Sequence, residues 1–380
     1  MTGILVGLAA VLGLLDYSQS IQIDTSIRML ENTPFYNELT GLRAHRRLEL
    51  RLPSFDLKRD YYLLFRYRDS SVVPVWQKIL KEHDENDLLK VWYINALSQM
   101  GEERYLPLIA AYRNSKNSIL RECAANAYSF LACVDSVESL EKWLEQEKNG
   151  YVASTIAASI EALKTDGLKP ITDYLPQYYT GQPKKVKFFY NVNVESSEDY
   201  WFREKDSSGA EAVFGDKFIF PFQQFESRIK YAPRAGTFAN RHGDLYHCGQ
   251  DMGWFMEGLP VHSVANGRVR RISHELSWGC MVAIETAVSS QDTVCVIYGH
   301  LSRFINVKVG DEVFMGQKIG QIGNSVSYEN GGYWSHLHLG MERASFRDAM
   351  LSGYTYEIDR YANPAEFIKR HCFKDQDSAP

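Results

Sequence analysis

Between about Val72 and Lys164 apolar residues recur at helical spacing, and the pattern repeats itself. Val73-Pro74 returns as Leu106-Pro107, thirty-three positions on; Asn95-Ala96 returns as Asn126-Ala127, and Ala124-Ala125 as Ala157-Ala158. Each unit reads as a pair of amphipathic helices. Polar breaks separate the helices of a pair: His83-Asp84-Glu85-Asn86-Asp87, then Arg113-Asn114-Ser115-Lys116-Asn117, then Glu147-Lys148-Asn149-Gly150. The second helix is rich in alanine, which lets a neighbouring helix approach closely. A period of this length with short polar turns predicts an α-solenoid, assigned to residues 21–166. The helical period stops at about Gly167, and Pro170, Pro183, Lys184-Lys185, Ser196-Ser197 and Ser207-Ser208-Gly209 mark 167–215 as a connector. Within it, Phe188-Phe189-Tyr190-Asn191-Val192 predicts a strand or two. From Phe218 onward the pattern is β, with short runs such as Arg268–Ile272 and Met281–Ile284 between Gly, Asn and Asp turns. Pro364 to Phe373 predicts a short helix, and 374–380 a flexible tail. The predicted class is multidomain α + β: helix pairs first, then a mostly antiparallel β domain over 216–373.

The helix pairs resemble HEAT-type repeats, an α-solenoid class that commonly binds a protein partner on its concave face. Composition changes this picture little. Of 380 residues 45% are hydrophobic and 23% charged, and the net charge is -5 with a pI near 6.1. That balance gives no support for a nucleic-acid or anionic-membrane partner. The apolar run from Met1 to Leu15 is too short for a spanning segment, which needs about 20 residues. Residues 1–20 therefore read as a signal peptide with Ser18 and Ser20 near the cut, or as a buried apolar helix, since no Lys or Arg precedes the run. The first alternative predicts export to the periplasm or cell envelope, the second a cytoplasmic protein. None of the six cysteines forms a Cys-x-x-Cys pair, so a zinc knuckle or redox motif is not expected, and no disulfide is assigned.

Five features in the β region carry candidate chemistry. His247-Cys248-Gly249-Gln250-Asp251 sets a histidine and a carboxylate four apart, and its glycines favour an extended or turning backbone on which two ligands converge. Glu257 to Val269 reads as turn, strand, Asn266-Gly267 turn, strand, with His262 a satisfied strand residue rather than a ligand. Tyr298-Gly299-His300-Leu301 ends a strand on a histidine that can point into a cleft. Val309–Val313 and Gly316–Gly323 are glycine-punctuated strands of a compact sheet. In Ser335-His336-Leu337-His338-Leu339 the two histidines share one strand face and the two leucines the other.

The ordered set resembles the lysostaphin/LytM-type zinc metallopeptidases, a family of peptidoglycan endopeptidases, between about Phe218 and Arg343, roughly a third of the chain. Residue by residue, the resemblance makes His247, Asp251 and His338 the ligands of one Zn²⁺ per chain, with the fourth position open for water. His300 and His336 match the two non-ligand histidines that orient or deprotonate the water and steady the oxyanion; which of them is the base stays open. Ser335 stands where the family has Pro, Leu339 replaces a common Phe, and the stretch Ser325–Trp334 is longer than the family's short turn. Tyr333 and Trp334 in that stretch are candidate substrate contacts. The resemblance implies a zinc-dependent endopeptidase acting on peptidoglycan peptide. Its alternatives are a catalytically silent activator and a wall-anchored scaffold.

Overall fold

The computed structural model describes residues 65, 70–132, 134–165, 168–171, 200–223, 236–275, 278–325 and 327–372. The apolar segment 1–20, the strand expected at 188–192 and the tail 374–380 lie outside them.

Six α-helices precede the sheet among the described residues: α1 (Val73–Glu82), α2 (Asp87–Met100), α3 (Leu106–Ala110), α4 (Ser118–Leu131), α5 (Val137–Gln146) and α6 (Gly150–Lys164). The polar breaks have a structural task. Asn86, Asn117 and Asn149 are the N-caps of α2, α4 and α6, each side-chain oxygen accepting from backbone N–H groups in the first turn. Gly101, at φ 68°, closes α2 in the left-handed conformation. Helix α2 and the alanine-rich α4 and α6 pack side by side. Ala124, Ala125 and Ala127 are fully buried there, and the Ser159 hydroxyl donates to Ala125 O at 2.8 Å across the α4–α6 contact.

The β domain is built on an eight-stranded sheet. Its path is β1 (Tyr200–Lys205), β7 (Gly267–Glu275), β8 (Gly279–Ala287), β9 (Thr293–Leu301), β12 (Leu337–Glu342) and β5 (Gly249–Met252), antiparallel throughout. β10 (Glu312–Val313) adds to β7, and β2 (Val213–Phe214) runs parallel to β8. Two small sheets complete it: β6 (Pro260–His262) with β11 (Lys318–Gln321), and β3 (Arg241–His242), β4 (Leu245–His247) and β13 (Tyr354–Thr355). α7 (Pro364–His371) follows, capped by Asn363.

The stretch 167–215, expected to connect, supplies two strands of the main sheet. β1 is held at its end by charge: the Arg270 guanidinium on β7 donates to Asp206 at 2.5 Å and to Glu285 on β8 at 2.7 Å, all largely buried. A polar run beside Ser-Ser-Gly reads as linker because sequence spacing does not reveal the arginine that waits across the sheet.

Helices and sheet meet over a buried polar seam. The Tyr151 hydroxyl donates to Phe220 O at 2.7 Å, and Lys318 N donates to the Ser154 hydroxyl at 2.8 Å. The Lys318 ammonium donates to Asn126 at 2.6 Å, and Gln223 donates to Glu122 at 2.6 Å. His262, expected to be a satisfied strand residue, is fully buried between Pro221 O at Nδ1 and the Thr155 hydroxyl at Nε2, each at 3.3 Å, with Glu122 3.6 Å from Nε2. Burial pushes the His262 pKa down to about 3 and that of Lys318 down to about 7. Five free thiols are described; Cys123, Cys248, Cys280 and Cys295 are buried and Cys372 is half-buried. Cys280 lies across from Leu301 and Cys295 from Glu285, so the strand register keeps the two apart. Among the described residues no helix is long and apolar enough to cross a membrane.

Candidate metal centre

His247 ends β4, and Asp251 lies on β5. In the β12–β5 ladder His338 is directly opposite Asp251, so two side chains distant in sequence emerge on one face as neighbours. The extended backbone expected around Gly249 is present. His247 Nε2 lies 3.0 Å from His338 Nδ1, His338 Nδ1 3.1 Å from Asp251 Oδ1, and His247 Nε2 3.3 Å from the same oxygen. These three residues form a group able to hold a metal ion. A tetrahedral ion with bonds of about 2.0–2.1 Å sets its ligand atoms roughly 3.3 Å apart, so the spacing fits such an ion.

The hydrogen bonds around the ring atoms fix what each histidine offers. A carbonyl only accepts, so His247 Nδ1, 3.2 Å from Thr237 O, carries the proton and leaves Nε2 a lone pair. With the Asp251 carboxylate and His338 Nδ1, which offers a lone pair in the tautomer that carries its proton on Nε2, three potential ligand atoms converge, a set that suits a cation. His338 Nε2 faces Gly249, where a side chain would collide with the imidazole. Gly249 is thus the vacancy in β5 that lets the ring of the facing strand lie down.

His336 precedes β12 on the same side, its Nε2 3.5 Å from Asp251 Oδ2. Its Nδ1 donates to Trp334 O at 2.6 Å. His300 reaches the group by a different device. On a regular strand it would share a face with Tyr298, whose ring is buried and whose hydroxyl accepts from Val264 N at 2.8 Å. The β8–β9 register slips between Cys280–Leu301 and Val282–Tyr298, an extra residue on β9, and His300 has φ 62°. This bulge swings His300 towards His336 and the His247–Asp251–His338 group. Its ring centroid lies 4.5 Å from that of His336, and Nδ1 donates to Asn330 O at 2.9 Å. In their neutral forms both His300 and His336 therefore present an unprotonated Nε2.

The buried carboxylate and the imidazoles shift one another's proton affinities. Burial raises the Asp251 pKa, but His247 and His336 outweigh it and hold the carboxyl well below its usual range. Burial lowers the His247 pKa, yet the facing Asp251 more than reverses this, and the net shift is upward. Burial pushes His338 down to about 4 and carries His336 and His300 below the ordinary value, His300 well below it.

Tyr333 and Trp334 stand at the rim. The Tyr333 ring is 4.6 Å from His300, and Trp334 meets the exposed Phe255 edge-on at 5.8 Å. Several neighbours give no sequence signal. Trp254 stacks flat on His336, at 4.4 Å and 7° between planes, and Trp278 packs edge-on against His338 at 4.9 Å. Gly299 makes room for Trp278, whose ring a side chain there would enter.

Residues 246–348 match the sequence profile of peptidase family M23. The chain carries an M23 peptidase domain. The matched span contains all five residues of the site. No curated protein matches the chain. Among solved structures, a putative peptidase M23 from Pseudomonas aeruginosa is similar at 21% identity and TM-score 0.25, over 40% of this chain and 54% of its own. A putative glycyl-glycine endopeptidase LytM from Ruminococcus gnavus is similar at 14% identity and TM-score 0.25, over 70% of this chain and 86% of its own. This chain thus spans about half the length of the first of these.

Proposed function

We propose that the M23 domain is a zinc-dependent endopeptidase that hydrolyses peptide bonds in bacterial peptidoglycan. The observation that carries this is the convergence of His247 Nε2, Asp251 Oδ1 and His338 Nδ1 to within 3.0–3.3 Å, with two neutral histidines beside them. Two imidazoles and one carboxylate suit Zn²⁺ and leave a coordination position free, the arrangement of a catalytic rather than a structural site. When bound there, the ion supplies positive charge that polarises a scissile carbonyl and acidifies water.

The chain's own residues do the rest. Nε2 of His336 or His300 takes the proton from the attacking water, and the resulting imidazolium returns it to the leaving amine. The other ring steadies negative charge on the carbonyl oxygen. Donation from Nδ1 to Trp334 O and Asn330 O keeps each ring from rotating away from this task. Tyr333 and Trp334 border the cleft and supply flat apolar surface to a stem peptide or sugar.

The test is incubation of purified peptidoglycan with the full chain, with mass spectrometry of released fragments and metal analysis of the protein. Peptide-cleaved fragments, their loss on chelation and return with zinc, and close to one zinc per chain are expected. Zinc at that level with no fragment released would leave a silent domain of this family.

A further inference from the structure

The asparagines that mark the helical repeat, Asn95 and Asn126, do not face one another or solvent. Both are buried against the segment that leaves the ligand strand β5. Residues 253–258 run from β5 towards β6, and their backbone carbonyls are taken up by the helices. Trp92 Nε1 of α2 donates to Phe255 O at 2.7 Å. Asn95 Nδ2, one turn further along α2, donates to Glu257 O. Asn126 Nδ2 of α4 donates to Gly258 O at 3.1 Å and to Gln321 at 2.8 Å. Three carbonyls of one short loop are each held by a side chain from the helical part.

The same loop grips the strand entry that carries His336. Phe255 N donates to Ser335 O at 2.9 Å. The Glu257 carboxylate accepts from Ser325 N at 2.7 Å, and the Ser325 hydroxyl accepts from Ser335 N, also at 2.7 Å. Between these bonds lies the Trp254 indole stacked on His336. Phe255 itself sits at φ 61°, a conformation costly for a bulky side chain and held here by bonds at its N–H and its carbonyl.

We propose that the helical repeats belong to the catalytic apparatus: Trp92, Asn95 and Asn126 are positioning residues that fix loop 253–258, and through Trp254 and Ser335 set the ring of His336. This rests on His336 acting in hydrolysis as proposed above. A small displacement of a proton-transferring ring lowers turnover far more than it lowers binding of a long substrate, whose contacts lie elsewhere.

The experiment uses the full zinc-loaded chain and the variants Trp92→Phe, Asn95→Ala, Trp254→Leu, Trp254→Phe and the double variant Trp92→Phe/Trp254→Leu. Lys142→Ala, in an exposed ion pair on α5, serves as control. Trp92→Phe removes one N–H and keeps most of the ring, so folding is retained, and circular dichroism with zinc content verifies this. On soluble peptidoglycan fragments, kcat for Trp92→Phe and Asn95→Ala is expected to fall roughly ten- to a hundred-fold with KM within about two-fold. Trp254→Phe, which keeps a stacking face, should recover most of what Trp254→Leu loses. The double variant should be no slower than Trp254→Leu alone, because both act through one ring. Additive losses, or a change in KM alone, would overturn the proposal. A second readout is independent of hydrolysis: the NMR shift of the His336 imidazole, displaced by the facing indole, should move in Trp92→Phe and stay put in Lys142→Ala. An unmoved His336 signal rejects the clamp even if the chain digests wall material. A moved signal in a chain that digests nothing rejects the hydrolase while keeping the clamp.

Discussion

At the scale of single residues, the three proposed ligands and the two further histidines separate by what their nitrogen atoms face. His247 Nε2 and His338 Nδ1 lie 3.0 Å from each other and within 3.3 Å of one Asp251 oxygen, whereas His300 and His336, tied at Nδ1 to carbonyls, stand outside that triangle and keep Nε2 for protons. Replacing one of each kind should therefore have different consequences. His338→Ala should abolish stoichiometric zinc and activity together. His300→Ala should retain zinc, measured by atomic emission, while turnover falls roughly a hundred- to ten-thousand-fold, the range for a lost proton-transfer group. Equal zinc loss in both would mean that His300 is a ligand. The residue types at 247, 251, 300, 336 and 338 were legible because their order and spacing resemble a family pattern. Trp254 and Trp278 were not, since an aromatic beside a histidine in space leaves no periodic trace in the chain.

At the scale of elements, strand alternation accounts for His336 and His338 sharing a face, and Gly249 sits in the extended β5 while Gly253, at φ 69°, turns the chain after it. Alternation fails at His300, where a bulge overrides it. A bulge is written in the register between two strands, which one sequence read alone does not contain. The same holds for β1 and β2, whose partners β7 and β8 lie more than sixty positions downstream. On the helical side the polar breaks did announce helix boundaries, because asparagine caps act on their own neighbours. Facing strands also make a non-ligand decisive. Gly249 of β5 lies under the His338 ring of β12, so Gly249→Ala should weaken zinc binding roughly ten- to a hundred-fold with every ligand intact, as loss of a supporting contact does elsewhere. Competition with a fluorescent chelator measures this. Unchanged affinity would show that the ring does not need that space.

At the scale of the whole molecule, helices and sheet are joined through charge-bearing groups that are cut off from water. His262 takes up its proton near pH 6.5 when unfolded but only near pH 3 when folded, because burial disfavours the imidazolium. Between those values the unfolded chain binds more protons, so stability is present above pH 6.5 and is lost as pH falls towards 3. This ring contributes about 1.4 kcal/mol per pH unit over that window. Urea unfolding of the zinc-loaded chain at pH 6.5 and 5 should show a shallower pH dependence in His262→Gln than in the parent, by about one proton; identical slopes would mean that His262 is already charged in the fold. The facing groups, Glu122 and Lys318, are common to both proteins and cancel in the comparison. The thiols are governed by the same exclusion of water. Burial raises the pKa of Cys248, Cys280 and Cys295 far enough that the nucleophilic thiolate is all but absent at neutral pH. Such sulfurs exchange slowly with glutathione or a disulfide oxidase, so an oxidising compartment would leave these three thiols uncoupled.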